Sequence, residues 1–150
     1  MKISLGCDEA AYQLKETIKQ HLQEAGQDVI DNGVGEGEVE LYPDVAVRTC
    51  KKVTDGTCDR GILVCGTGIG MAMTANKVPG IRAAVCHDPF STERSILSND
   101  ANVMCMGARV IAPQLAIYLL DIWMGLTFKD GPSTPKVERI MEYQEAFCGK

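Results

Sequence analysis

Apolar residues in this chain form short continuous runs that alternate with segments in which apolar residues recur at helical spacing. The clearest runs cover residues 3–7, 61–65, 83–86 and 103–106, and residues 29–30 form a minimal one. The run at 61–65 is apolar at every position, as expected of a strand in the centre of a parallel sheet. The pattern therefore predicts five strands separated by helices.

The segments between these runs are predicted to be helical. Apolar residues three and four positions apart define one face of a first helix, which we expect to end near Gly26, since glycine is favoured just beyond a helix C-terminus. Pro43 suits the first turn of a second helix. Later helices are predicted at residues 91–98, 114–124 and 135–147. We therefore expect one α/β domain over residues 1–150, built on a single doubly wound parallel sheet with helices on both faces.

Charge and hydropathy exclude two classes of partner. The formal net charge is −5 and no block of basic residues is present, so we expect no nucleic-acid partner. The N-terminal segment does not resemble a signal peptide. The longest late apolar run, residues 115–124, contains Asp121 and is too short to span a bilayer. We therefore predict a cytoplasmic protein with no membrane partner.

The seven cysteines include no C-x-x-C pair, which argues against both a disulfide framework and a zinc knuckle. Most of them are expected to be small buried side chains in a reducing compartment. The sequence therefore predicts no metal site.

Doubly wound sheets place their binding sites beyond the carboxyl ends of the strands, where the strand order reverses. Four segments follow predicted strands and carry reactive or polar side chains: Cys7–Asp8, Cys65–Gly70, His87–Asp88 and Gly107–Arg109. Asp8 and the adjacent Glu9 could orient hydroxyl groups or share a proton, and Asp8 could equally serve as a helix N-cap. His87 is a candidate acid–base group, with a purely structural role as the alternative.

The most specific local signal is the glycine-rich segment that begins at Cys65. Its alternate glycines allow backbone amides to approach a ligand closely, and the helix expected to follow adds further amide donors, which suits an oxyanion or a phosphate. The segment is not a Walker loop, and Met71 stands where a dinucleotide fingerprint needs its third glycine. A tight strand-to-helix turn without a ligand is the alternative. A thiol at such a position is a usable base or nucleophile, so we predict that Cys65 carries the chemistry.

Several longer motifs are similar to those of the ribose-5-phosphate isomerase type B and galactose-6-phosphate isomerase family. The similarity covers essentially the whole chain, and two motifs are highly specific together: Cys-Gly-Thr-Gly-Ile-Gly at residues 65–70 and Asn-Lys-Val-Pro-Gly-Ile-Arg at residues 76–82. The remaining motifs are Gly6–Asp8, Tyr42–Asp44, Ser98–Asn102, Gly107–Val110 and Lys136–Glu138.

The resemblance implies a Rossmann-like, flavodoxin-like sheet and an aldose–ketose isomerase that acts on a small phosphorylated sugar through a cis-enediolate, without a metal or an organic cofactor. It implies a homodimer or homotetramer with active sites shared between subunits, and the helix at 135–147 would pack on a partner. Cys65 would be the base, and Thr67 would assist at the hydroxyl. The further predicted substrate contacts are Asp8, Glu9, Tyr42, Gly66, Gly68, Ile69, Gly70, His87, Ser98, Asn99, Arg109 and Lys136. Of these, Asn99, Arg109 and Lys136 would come from the partner subunit, and the last two would face the phosphate.

Several positions depart from the family pattern. Glu9 and Ser98 stand where the family commonly has histidines, one of which helps to bind phosphate while the other opens a furanose ring. Pro132 and Lys136 stand where it has arginines, and Met71 stands where some relatives carry a glutamate base. A tetrulose phosphorylated on its terminal carbon cannot close a furanose ring and needs no ring-opening histidine. These departures therefore favour a short open-chain substrate such as a tetrose or tetrulose phosphate.

Two alternatives stay open. The same isomerase could act on ribose 5-phosphate and ribulose 5-phosphate, or on a hexose phosphate, with His87 taking over ring opening. The chain could also be a sugar-phosphate-binding subunit of a heteromer. Against this second alternative, Cys65 is present, whereas the inactive subunits of such heteromers lack that cysteine.

Overall fold

The computed structural model describes residues 1–148 and shows one parallel sheet of five strands. The strands are Lys2–Cys7 (β1), Asp28–Asp31 (β2), Arg60–Cys65 (β3), Ala83–Val85 (β4) and Val103–Gly107 (β5). Each lies within a residue or two of the apolar run that predicted it. β1, β3 and β5 are buried almost throughout, which explains why they are mainly apolar, whereas β2 and β4 are mostly half-buried.

The strand order across the sheet is β2-β1-β3-β5-β4. β1 therefore lies beside β3, as a doubly wound fold requires, and the predicted α/β fold class is confirmed. The order differs from the flavodoxin-like order 2-1-3-4-5 at one edge, where β5 lies beside β3 and β4 is the edge strand. β5 is fully buried and β4 is only half-buried, so the more apolar of these two strands takes the interior position.

The described part of the chain forms six α-helices, preceded by a short 3-10 turn at Glu9–Ala11. The helices are Tyr12–Glu24 (α1), Tyr42–Thr54 (α2), Ile69–Ala75 (α3), Pro89–Leu97 (α4), Pro113–Met124 (α5) and Thr134–Cys148 (α6). α2, α4 and α5 have a proline in the first turn, where its missing N–H costs no helical hydrogen bond. Gly26 has φ +74 just beyond α1, as predicted. None of these helices is long and apolar enough to cross a lipid bilayer.

The helices cover both faces of the sheet, as predicted. α1, α4 and α5 bury one face, where side chains such as Leu5 and Met104 form the larger core. α2 and α3 bury the other face, around Leu63 and Cys105. The two cores fix the sheet between helical layers, so ligands can reach it only at the edges where the strands end.

α6 packs beside the edge strand β4 rather than on a face of the sheet. The N–H of Gly80 donates a hydrogen bond to Oε1 of Gln144 at 2.9 Å, and Nη1 of Arg82 donates to Sδ of Met141 at 3.5 Å. A groove of about 720 Å³ remains between α4, α6 and β4. α6 is therefore joined to the segment that leads into β4.

Candidate active site

The carboxyl ends of the strands lie side by side at one edge of the sheet. The pairing of Cys7 with Val64 puts Asp8 beside Cys65, and Cys65 itself pairs with Gly107. β4 ends at the same edge because all the strands are parallel. The structure therefore brings together the four segments that the sequence singled out.

Cys65 ends β3 at the start of the glycine loop, residues 66–70. The residue is 5% exposed, and the N–H of Gly68 donates a hydrogen bond to its Sγ at 3.1 Å. Gly68 has φ +76, a left-handed conformation that glycine adopts without strain. This conformation directs an amide of the loop at the sulfur.

The glycine loop packs directly on the end of β5. A Cβ on Gly68 would lie 3.0 Å from the backbone carbonyl carbon of Met106, and a Cβ on Gly107 would lie 2.6 Å from that of Thr67. Side chains at these two positions would push the loop away from the strand. The sequence interpretation assigned the loop glycines to ligand approach, whereas for Gly68 the structure shows a packing requirement as well.

Asp8 follows β1 and caps the 3-10 turn that precedes α1. Its Oδ1 accepts the N–H of Ala10 at 3.1 Å, so the N-cap interpretation is confirmed. Burial raises the pKa of Asp8 and the charge of Glu9 adds to the rise, while the Ala10 hydrogen bond and the charge of Arg109 oppose it. Glu9 is exposed and lines a cavity of about 450 Å³ beside this edge.

Arg109 lies over the glycine loop of its own chain. Its Nη1 and Cζ are 3.5 and 3.6 Å from the position of a Cβ on Gly66, and its N–H donates to the Gly66 carbonyl at 3.0 Å. The prediction that Arg109 comes from a partner subunit is therefore wrong. The turn after β5 is hydrogen-bonded to the end of β3, because the N–H of Ala108 donates to the carbonyl of Cys65 at 2.8 Å, and this turn brings Arg109 inward.

Tyr42 and Thr67 also lie at the glycine loop. Tyr42 begins α2, and a Cβ on Gly70 would lie 2.7 Å from Cε2 and Cζ of its ring, so glycine allows the ring to pack there. Oγ1 of Thr67 accepts the N–H of Ile69 at 3.3 Å, which leaves the hydroxyl hydrogen free to donate. Both predicted contacts are therefore close to the loop.

His87 follows β4, and a backbone hydrogen bond fixes its ring. The N–H of Gly107 donates to Nε2 at 2.9 Å, so the neutral ring carries its proton on Nδ1. Burial lowers the pKa of His87, and Asp88 opposes that effect. The lone pair that would accept a proton is engaged, which favours the structural alternative over the acid–base role.

Sequence reasoning did not identify Gly107 as the partner of His87. β4 pairs with β5 in a register that sets Val85 opposite Cys105, and this register places His87 opposite Gly107. Both residues come two positions after that pair. The available signal was that His87 and Gly107 lie at the same distance beyond the paired residues Val85 and Cys105. That signal is informative only once the register between β4 and β5 is known.

Three predicted contacts lie on segments other than those at the carboxyl edge of the sheet. Ser98 and Asn99 come between α4 and β5, which puts them at the amino end of the strands, opposite the glycine loop. Lys136 lies near the start of α6, the helix joined to the segment before β4. The structure therefore does not bring Ser98 and Asn99 to the Cys65 of the same chain.

The other described cysteines are core residues. Burial raises the pKa of Cys7 and Cys50 to about 12, and it also raises the pKa of Cys58, Cys86 and Cys105. These thiols stay protonated at neutral pH. The side chain of Cys148 lies outside the described residues. Within residues 1–148, no three His, Cys, Asp or Glu side chains are grouped so that they could hold a metal ion.

Known proteins resemble this chain in both sequence and structure. The family model described as ribose/galactose isomerase matches residues 3–140. A Listeria innocua relative named ribose-5-P isomerase B is 50% identical over 145 residues, covering 97% of this chain and 98% of the relative. A Pectobacterium atrosepticum relative named D-erythrulose-4-phosphate isomerase is 48% identical over 145 residues, covering 96% of this chain and 95% of the relative.

Structural similarity extends over the same length. The solved structure of Clostridium thermocellum ribose-5-phosphate isomerase B has a TM-score of 0.95 at 41% identity, covering 98% of this chain and 99% of that one. The match therefore includes the sheet, the glycine loop and the segments that surround it. On these grounds the chain belongs to the ribose/galactose isomerase family and is an isomerase, as its motifs indicated.

Proposed function

We propose that this protein interconverts an aldose phosphate and a ketose phosphate, with Cys65 as the base. The observation that supports this best is the position of Cys65. Its sulfur lies at the carboxyl edge of the sheet, beside Asp8, with the amide of Gly68 directed at it. Cys65 keeps a small exposed fraction, whereas Cys7, Cys50, Cys86 and Cys105 are fully buried.

The reaction requires a proton to leave the carbon next to the carbonyl and to return to the neighbouring carbon. Its loss leaves a cis-enediolate, whose charge develops on two oxygens and is stabilised by donors that are already in place. We assign this role to the amides of residues 66–70. The Thr67 hydroxyl, whose hydrogen is free to donate, would assist proton transfer between the two oxygens. Asp8 and Tyr42 would line the sugar.

The site would be completed by a second copy of the chain. Ser98 and Asn99 lie at the opposite end of the sheet from Cys65 in their own chain, so as substrate contacts they can act only in another copy. We propose a homodimer, alone or within a homotetramer. Arg109 of one chain and Lys136 of its partner would then face the phosphate.

The surface around the glycine loop is suited to such an interface. Leu41, Ile69 and Met73 are 72%, 55% and 66% exposed, so apolar side chains surround the entrance to the site. Large exposed apolar areas of this kind mark interaction surfaces. A partner chain placed there would bury them and would exclude water from the reacting carbons.

The proposed substrate is a four-carbon, open-chain tetrose or tetrulose phosphate. Ser98 replaces the histidine that opens furanose rings in the family pattern, and His87 does not offer a free lone pair in its place. The name of the Pectobacterium atrosepticum relative fits this assignment. The second candidate is ribose 5-phosphate, which the name of the Listeria innocua relative favours.

The test is a panel of four-, five- and six-carbon sugar phosphates assayed with the wild type, Cys65→Ala and Cys58→Ala. We expect kcat/KM to be higher for erythrulose 4-phosphate than for ribose 5-phosphate. Loss of the base in Cys65→Ala should lower kcat by about 10³-fold. Cys58, also buried, lies near the amino end of β3, so Cys58→Ala should retain activity.

Two outcomes would contradict separate parts of the proposal. Much faster turnover of ribose 5-phosphate would remove the tetrose assignment and leave the base unaffected. Undiminished turnover by Cys65→Ala would place the chemistry elsewhere. Deuterium uptake from D2O into the product gives an independent reading, because a proton held by Cys65 exchanges with solvent before it returns to carbon.

A further inference from the structure

We infer that Arg82 and Asp100 are positioning residues for the active site: together they fix the turn that presents Asn99 to a second copy of the chain. The inference rests on the shared site proposed above. It assigns a function to an ion pair at the amino end of the sheet, on the opposite side from Cys65.

Arg82 holds Asp100 by its backbone and by its side chain. Nε of Arg82 donates to the carbonyl of Asp100 at 2.6 Å, and Nη2 donates to Oδ2 at 2.7 Å. The Arg82 side chain is only 19% exposed, so solvent screens the pair less than it would a surface pair. One planar guanidinium therefore fixes both the position and the direction of the residue that follows Asn99.

Asp100 has an unusual backbone conformation. Of residues 1–148 it is the one non-glycine residue with positive φ, at +50. A side chain in this region costs free energy and persists when its surroundings hold it there. Backbone hydrogen bonds supply part of that constraint, since the N–H of Asp100 donates to the carbonyl of Ile96 at 3.0 Å. The two hydrogen bonds from Arg82 add to it. They keep a left-handed residue at the turn, which sets the direction of the exposed Asn99 beside it.

Asn102 fixes the other end of the turn. Its Oδ1 accepts the N–H of Arg82 at 2.8 Å, and its Nδ2 donates to the carbonyl of Gly80 at 2.8 Å. The third guanidinium nitrogen, Nη1, donates to Met141 of α6. Arg82 thus contacts both the Asn99 turn and the helix that carries Lys136, a helix that the Gly80–Gln144 hydrogen bond also holds.

Mixed dimers test this inference. Two differently tagged variants are co-expressed and the mixed dimer is purified through both tags. Cys65→Ala paired with Asn99→Ala has one intact site of two, because each chain supplies what the other lacks, and should recover about half of the wild-type activity. Each variant alone should be nearly inactive.

Arg82→Lys keeps the charge but loses the double contact, and should lower kcat by about 10- to 100-fold through misplacement of Asn99. Mixed dimers of Arg82→Lys with Cys65→Ala should recover about half of the wild-type activity, because the Cys65→Ala chain supplies an intact turn. Mixed dimers of Arg82→Lys with Asn99→Ala should not recover, since both lesions lie in the same half of the site.

The opposite pattern, recovery with Asn99→Ala but not with Cys65→Ala, would overturn the inference, and so would full activity of Arg82→Lys alone. If Cys65→Ala and Asn99→Ala themselves fail to complement, the shared site is wrong and the inference falls with it. If Arg82→Lys folds poorly, Asp100→Asn replaces it in the test. Asparagine tolerates positive φ but removes the charge, so this variant should give the same pattern of recovery in mixed dimers. Arg139→Lys, an exposed α6 pair with Glu142, is the control and should keep wild-type activity.

Discussion

Gly70 determines where the ring of Tyr42 can lie. Gly70 is the second residue of α3, where alanine would increase helix propensity by about 1 kcal/mol. An added Cβ would nevertheless lie 2.7 Å from the Tyr42 ring, which is partly exposed and can move outward. Gly70→Ala should therefore leave the melting temperature nearly unchanged and raise KM by about tenfold, because the ring no longer lines the sugar.

Steady-state kinetics and thermal unfolding separate these two effects. Gly131→Ala is the matched control, since the nearest atom to its Cβ would be 3.9 Å away, and it should change neither quantity. An unchanged KM in Gly70→Ala would show that Tyr42 does not contact the substrate.

His87 should make the stability of the protein depend on pH. Because burial lowers its pKa, the hydrogen bond from Gly107 is complete above the ordinary histidine pKa. It is lost as the pH falls through the lower pKa of the folded state. His87→Gln keeps an acceptor but does not titrate, so its free energy of unfolding should fall less than that of the wild type between pH 7 and pH 5, by about 1 kcal/mol.

Urea unfolding of both proteins at several pH values measures this difference. His21 is present in both and cancels in the comparison. Parallel stability curves would mean that the pKa of His87 is the same in the folded and unfolded states.

The contact between α1 and β2 depends on a buried lysine. Nζ of Lys15 lies 2.9 Å from Oδ2 of Asp31, and the Lys15 side chain is 3% exposed. Burial acts to raise the pKa of Asp31, but hydrogen bonds from Lys19 and Lys15 outweigh it and lower the pKa overall. The carboxylate therefore contributes stability above its unfolded-state pKa, and this contribution is lost as the pH falls through the lower folded value.

Asp31→Asn should lower the free energy of unfolding by about 3 kcal/mol at pH 7, because it leaves Lys15 with one partner fewer in a buried position. The loss should shrink as the pH falls below the unfolded-state pKa. Asp28→Asn on the same strand is the control. Its ion pair with Lys2 is exposed at 3.6 Å, so less than about 1 kcal/mol is expected. Equal losses in the two variants at pH 7 would contradict the buried-pair explanation.

The strands were predictable because the buried runs are almost entirely apolar, with Ser4 in β1 as the exception. The glycine loop was predictable because it follows the most apolar of them. The order of β4 and β5 was not, since a strand as short as Ala83–Val85 carries too little pattern to show whether it lies inside the sheet or at its edge. The partnership of His87 with Gly107 was hidden for the same reason, because it depends on the register between these two strands.

At the scale of the whole molecule, the family motifs name candidate site residues but do not show which copy of the chain supplies each of them. Arg109 was expected from a partner and instead lies over its own glycine loop, because the turn after β5 is hydrogen-bonded to β3. Asn99 follows α4 at the amino end of the sheet, and Lys136 lies near the start of α6. Assignment to one copy or the other therefore depends on which end of the parallel sheet a residue occupies.

If activity needs two copies of the chain, a charge placed on the proposed interface should dissociate the dimer and thereby abolish turnover. Met73 is 66% exposed on α3, one helical turn from Ile69 at the entrance to the site. A glutamate there would be buried without a partner in the dimer, at a cost of about 3 kcal/mol, or more than about 100-fold in the dissociation constant. Because the side chain is exposed in the single chain, Met73→Glu should fold normally.

We expect Met73→Glu to sediment as a monomer at micromolar concentration and to regain specific activity as its concentration is raised. Tyr118→Glu is the matched control: Tyr118 is 56% exposed on α5, on the opposite face of the sheet. If the wild type is a tetramer and Tyr118→Glu is an active dimer, the dimer is the functional unit. A Met73→Glu monomer with full activity at every concentration would show that one chain suffices, and that Asn99 and Lys136 take no part in the reaction.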